Sequence, residues 1–165
     1  MLSEIAATNI ICDYPAPMPG VFDPERYMGV WFSITQSVGN PYIPENPCAS
    51  ALYDQLDLEK GTFRVQNAYA EEIGVERDEI FAAASIVDCP NAQAKVSFFG
   101  EEVPEPNYLI LDTDYDTYAV VYGCSEEDVV PNLWILARES VIDEELIQTL
   151  KLQTAEMLPN YDFSI

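Results

Sequence analysis

From Gly29 onward, apolar and polar positions alternate along the chain with a period of two, the pattern of strands buried on one face. Val30 to Ser37 (VWFSITQS) predicts a first strand, ending at a loop that holds Gly39, Pro41, Pro44 and Pro47. Seven further runs follow at close spacing: Ala49 to Leu56, Thr62 to Ala70, Glu79 to Val87, Ala94 to Phe99, Tyr108 to Leu111, Tyr118 to Tyr122, and Leu133 to Ala137. They are rich in Val, Ile, Phe and Tyr, with Gly, Pro, Asn or Asp between them.

Both ends break this pattern. Pro15, Pro17, Pro19 and Gly20 predict an extended arm over residues 1–22, and Asp23-Pro24-Glu25 reads as the cap and start of one short helical turn. After the last strand the period lengthens. Asp143 caps a predicted helix with apolar Leu146, Ile147, Leu150 and Met157, stopped near Pro159. Eight antiparallel strands with short connections and one late helix predict an all-β fold, an up-and-down β-barrel with a C-terminal α-helix packed outside. A sandwich uses the same strands but leaves the single late helix unexplained. The expected organisation is one domain: an arm over 1–22, barrel and helix over 23–158, and a tail over 159–165.

Composition narrows the function. Seven Lys and Arg stand against 29 Asp and Glu among 165 residues, a net charge of −22 that repels phosphate backbones and anionic membranes. There is no histidine, so the commonest general base and every Ser-His or Cys-His nucleophile pair are excluded. At 48% apolar and 12% aromatic, the chain has the material for a large core. No apolar run reaches the length of a membrane span; the longest, Ile80 to Val87, contains Ser85. The four cysteines, at 12, 48, 89 and 124, form no C-x-x-C pair and suit disulfides in an oxidising compartment. Met1-Leu-Ser-Glu-Ile lacks a basic region and a long apolar core, so the expectation is a secreted chain whose leader has been replaced by a methionine.

Three separated segments carry a family resemblance. Asp23-Pro-Glu-Arg-Tyr-Met-Gly-Val-Trp-Phe resembles the first lipocalin motif, a short helical turn running into Gly-x-Trp. Asp112-Thr-Asp-Tyr-Asp-Thr-Tyr resembles the second, a turn between two strands, and Trp134-Ile-Leu-Ala-Arg resembles the third. In order and spacing the chain is similar to the apolipoprotein D-like branch and its bilin-binding and carotenoid-binding relatives. The resemblance implies that Gly29, Trp31, Thr113, Asp114, Tyr115 and Arg138 are structural residues of the closed barrel end, with Arg138 laid across the Trp31 indole.

The same resemblance implies a ligand cup lined by Tyr53, Asn67, Tyr108 and Trp134. Alternation along the strands adds Phe63, Val65, Tyr69 and Ile110, and on the seventh strand Tyr118, Val120 and Tyr122. Some of these aromatics would equally fill the barrel as ordinary core. The resemblance also implies a Cys12–Cys124 disulfide. Cys48 and Cys89 are left either bridged to each other or as two free thiols.

In lipocalin topology the loops after alternate strands ring the open mouth. They carry eleven acids against Arg77: Glu71, Glu72, Glu76, Asp78, Glu79, Glu101, Glu102, Glu105, Glu126, Glu127 and Asp128. Such a rim either solvates the surface or disfavours anionic ligands. The function expected is non-covalent carriage of a small hydrophobic molecule of the carotenoid, retinoid, steroid or bilin class. No catalytic residue, metal or required cofactor is expected, although a bilin or carotenoid chromophore would fit the branch. The other readings are a subunit of a pigmented homo-oligomer, a module that binds a basic protein partner through its acids, and a lipocalin-type isomerase or de-epoxidase.

Overall fold

The computed structural model of the chain describes residues 12, 15–16, 18, 20–37, 48–70, 75–124 and 131–163, and for Asp88 and Cys89 the backbone alone. The Gly39–Pro47 loop, Glu71, Glu72, the Glu126–Asp128 acids and most of the arm lie outside the described residues. Eight strands close on themselves in sequence order: β1 (Gly29–Gln36), β2 (Cys48–Asp57), β3 (Thr62–Ala70), β4 (Asp78–Asp88), β5 (Gln93–Phe98), β6 (Tyr108–Thr113), β7 (Tyr118–Gly123) and β8 (Asn132–Ala137). Every neighbouring pair is antiparallel, and β1 closes the ring against β8. Helix α1 (Pro24–Tyr27) precedes β1, and helix α2 (Glu144–Met157) follows β8. No helix among the described residues is long and apolar enough to cross a membrane.

Both helices begin as the sequence predicts. The Asp23 carboxylate accepts the N–H groups of Glu25 and Arg26, and the Asp143 carboxylate those of Glu145 and Leu146. Helix α2 buries Ile147, Leu150 and Thr154, whereas Met157 is partly exposed and Leu158 beyond it takes the buried place.

Two apolar layers result. One fills the barrel from below, where Met18 and Phe22 of the arm pack with Tyr27, Trp31, Phe63 and Leu136. The other lies outside, between α2 and the outer faces of β6, β7 and β8: Leu109, Leu111, Val120, Tyr122 and Ile135 meet Ile147, Leu150 and Leu158. The Cys12–Cys124 disulfide ties the arm to the end of β7 beside this outer layer. Cys48 at the start of β2 is an exposed free thiol, so it is not bridged to Cys89. In the tail, the Tyr161 hydroxyl hydrogen-bonds Ser37 Oγ at the end of β1.

The β5–β6 seam is built differently from the rest. Those strands pair only at Gln93–Leu109 and Ala94–Tyr108, whereas β2 and β3 pair along nearly their whole length. Above that point a side chain replaces the strand: Asn107 Oδ1 accepts the Val96 N–H at 2.8 Å, and Asn107 Nδ2 donates to the Val96 carbonyl at 2.9 Å. Lys95 Nζ donates to the Pro104 carbonyl and Ser97 Oγ to that of Glu101, holding the connection against β5.

Replacing Cys12 and Cys124 together by Ser is expected to lower the unfolding free energy by about 2 to 5 kcal/mol, because the bridge closes a loop across most of the chain. Maleimide should label Cys48 in the unreduced native protein without changing its denaturation midpoint. A midpoint unchanged in the double Ser variant would show that the arm is not held by the bridge.

Candidate ligand-binding site

The floor is assembled from three distant segments. Arg138 follows β8 and stacks its guanidinium 3.7 Å from the centre of the Trp31 ring. Its nitrogens donate to the carbonyls of Tyr115, Val30 and Arg26 at 2.9, 2.9 and 2.8 Å. Gly29 makes this approach feasible, since it has a φ of +102° and a Cβ there would lie 3.2 Å from Arg138 Nη1. Trp31, fully buried, donates its indole N–H to the Tyr27 carbonyl at 2.9 Å.

The β6–β7 turn is fixed by its own side chains. Asp114 Oδ1 accepts the N–H groups of Asp116, Thr117 and Tyr118, and Thr113 Oγ1 accepts that of Tyr115. Burial opposes the charge on Asp114, but the N–H donors of Tyr118, Thr117 and Asp116 outweigh it and hold the carboxyl below its usual range. The Tyr115 hydroxyl accepts the Asp23 N–H, joining turn to helix cap.

Directly above the floor stand three tyrosines. Tyr27 rises from α1, Tyr53 comes from β2 and Tyr108 from β6; the Tyr108 hydroxyl lies 2.7 Å from that of Tyr27 and 2.8 Å from that of Tyr53. The Tyr27 and Tyr53 rings stack at 5.4 Å, and Phe63 meets Tyr53 edge-on. Burial raises the Tyr27 and Tyr108 hydroxyls well above the ordinary phenol range and pushes Tyr53 up to about 12.

The structure sorts the candidate lining residues onto two faces. Tyr53, Phe63, Val65 and Ile110 belong to the inner layer, with Tyr108 and Trp134 packed against it and only partly buried. Asn67 pairs with Ala51 and Tyr69 with Ala49, which puts both half-buried side chains on the inner face toward the mouth. Tyr118, Val120 and Tyr122 lie instead on the outer face, in the layer beneath α2. This corrects the inward alternation expected of the seventh strand. The inward residues of β7 are the small Ala119, Val121 and Gly123, and a Cβ at Gly123 would lie 2.8 Å from the Trp134 ring.

Tyr27 did not emerge from the sequence pattern. The available signal was its place within the first motif, two residues before Gly29 and four before Trp31. Ala51 and Ala82, also inward, leave the wall above the tyrosines thin. Of the rim acids, Glu76, Asp78, Glu79, Glu101, Glu102 and Glu105 are described, and all are exposed. Arg77 is turned to the outer wall, where it donates to Ser50 Oγ.

A closed antiparallel barrel, sealed below by stacked aromatics and lined above by half-buried Asn67, Tyr69 and Trp134, is the architecture of a small-molecule binding protein. A family model described as a lipocalin-like domain matches residues 22–164. Apolipoprotein D of Rattus norvegicus is 33% identical over 144 residues, covering 85% of this chain and 72% of that protein. Insecticyanin from the tobacco hornworm Manduca sexta has a TM-score of 0.66 at 23% identity, over 89% of this chain and 80% of that one. Lobster apocrustacyanin A1 has a TM-score of 0.65 at 15% identity, over 94% and 89% respectively. The chain belongs to the lipocalin family, whose members bind small hydrophobic ligands, and its similarity falls in the apolipoprotein D-like branch.

Arg138→Ala should cost about 1 to 3 kcal/mol of stability, because three carbonyls and one indole face lose their partner together. A second outcome concerns alkali. The three tyrosines have folded pKa values above the unfolded value of 10.0, so the stability they carry is intact below that pH. It is lost as the pH climbs through their raised values. Phenolate absorbance of the three is therefore expected to rise only together with loss of near-ultraviolet circular dichroism. Ionisation of all three in a protein that keeps its native dichroism would refute their burial.

Proposed function

We propose that the protein is a non-catalytic extracellular carrier that encloses one small, mostly hydrophobic molecule of the carotenoid, retinoid, steroid or bilin class. The observation that carries this reading is the division of the barrel interior. Below, the aromatics are fully packed; above, Asn67, Tyr69, Tyr108 and Trp134 line the inner face while keeping exposed surface. An apolar wall with a few polar tips orients a hydrophobic ligand without giving it a charge partner.

The charges support the same class. The described rim acids are exposed, and Arg77 is occupied on the outer wall, so a carboxylate end gains no cation at the mouth. The disulfide supports an oxidising, extracellular setting. The surroundings of Cys48, Asp112 and Asp114 support the non-catalytic side of this reading. Cys48 is exposed and sits one position out of phase with inward Ala49 and Ala51, Asp112 accepts the Tyr118 hydroxyl, and Asp114 is spent on its turn.

Quenching of Trp134 fluorescence tests the proposal. A neutral polyene or steroid is expected to bind more tightly than a carboxylated analogue of the same size at low salt. The gap should narrow at about 1 M salt, where the screening length falls to about 3 Å. Changing Glu101, Glu102 and Glu105 to Gln should strengthen binding of the anionic analogue and leave the neutral one unchanged. Release of a chemically altered ligand would overturn the non-catalytic reading. Equal affinities insensitive to salt would reduce the acids to surface solvation.

A further inference from the structure

Gly123, the last residue of β7, is a glycine that the backbone does not require. Gly20, Gly29, Gly61 and Gly100 turn through the left-handed region, whereas the φ of Gly123 lies outside it. A glycine inside a strand then marks a close approach, and here the approach is made by Trp134. A Cβ at position 123 would lie 2.8 Å from Cζ3 and 3.1 Å from Cη2 of the indole, with the Asn107 carbonyl oxygen at 3.2 Å. Carbon atoms in contact settle at about 3.5 to 4.0 Å. The benzo end of the indole therefore occupies the space that any side chain at 123 would take. Trp134 pairs with Val121, two residues before Gly123, so its ring reaches along the inner face of β7 toward the mouth. In a ring of eight strands the walls across from β7 and β8 are β3 and β4. There the inward side chains include Asn67 and the small Ala82.

We propose that Gly123 is a specificity-determining residue: by letting the Trp134 indole rest against β7 it sets the width of the cup, and so admits ring systems as well as chains. The inference rests on the carrier reading above and names what decides the breadth of its ligand. With a methyl group at 123 the indole has the β7 backbone and the Asn107 carbonyl behind it, and the way left open is toward the barrel axis. The ring then enters the space between β7 and β4. A broad, rigid ring system loses that space, whereas an alkyl chain, narrower and flexible, bends around the intruding edge.

The test is equilibrium dialysis of two tritiated, uncharged probes, androstanone as the ring system and hexadecanol as the chain, with a denaturation midpoint for every variant. Gly123→Ala asks for no left-handed backbone and should fold. Its affinity for androstanone should fall roughly tenfold, and its affinity for hexadecanol by about twofold at most. Trp134→Phe removes the benzo end that touches Gly123 and keeps an aromatic ring. In that background Gly123→Ala should change the androstanone affinity by no more than about twofold, because the colliding atoms are gone. A roughly tenfold loss that persists in the Trp134→Phe background would place the effect in the β7 backbone beside Asn107 and overturn the inference. Equal losses for both probes, no loss for either, or a Trp134→Phe protein that no longer binds androstanone would overturn it too, while native binding leaves the carrier reading standing. Failure of the native chain to bind either probe overturns both.

Discussion

Arg138 is the point through which the closed end of the barrel is organised. Its guanidinium offers donors in a rigid plane, and the structure uses that plane on one side for the Trp31 indole and along its edge for three carbonyls from α1, β1 and the β6–β7 turn. Lysine has a single point charge and cannot span these partners. Because the Arg26 and Val30 carbonyls flank Tyr27 while the Tyr115 carbonyl belongs to the β6–β7 turn, the same contact that closes the floor also sets where Tyr27 stands. The hydroxyl cluster above inherits its geometry from the floor.

The strand order, both helix starts and the closing motifs were legible in the sequence because each is a local signal. Period-two alternation, an aspartate cap, and Gly before Trp all act within a few residues. The β7 strand was not legible, and the reason is physical. Helix α2 covers its outer face, so YAVVYG is buried on both sides and polarity no longer marks the inside. Bulk also misled. The inward positions are Ala119, Val121 and Gly123 because the Trp134 indole already occupies the space, while the larger Tyr118 and Tyr122 fill the layer under α2.

The candidate site was legible on β2 and β3, where alternation keeps its meaning: Tyr53 and Val65 come inward as their spacing requires. Tyr27 escaped because it belongs to a four-residue helix, too short for a periodic pattern. Its partners Tyr53 and Tyr108 lie 26 and 81 residues away in sequence, so their meeting is a property of barrel closure. The same separation hid the third cysteine question. Whether Cys48 pairs depends on which end of the barrel each thiol occupies, and β2 begins at the mouth.

A closed barrel avoids the aggregation hazard of a sheet edge only while every seam is shut. At the β5–β6 seam closure depends on the Asn107 amide, which imitates a peptide group and occupies the hydrogen-bonding positions of Val96. If that side chain withdraws, the upper half of β5 becomes an edge strand, with an N–H and a carbonyl presented to any passing extended chain. Lys95 and Ser97 are engaged with the connection itself, and Phe99 beside them is 84% exposed. Asn107 thus occupies the backbone groups through which a strand from another molecule would add, a place that neither its position in a connecting segment nor its small size would advertise.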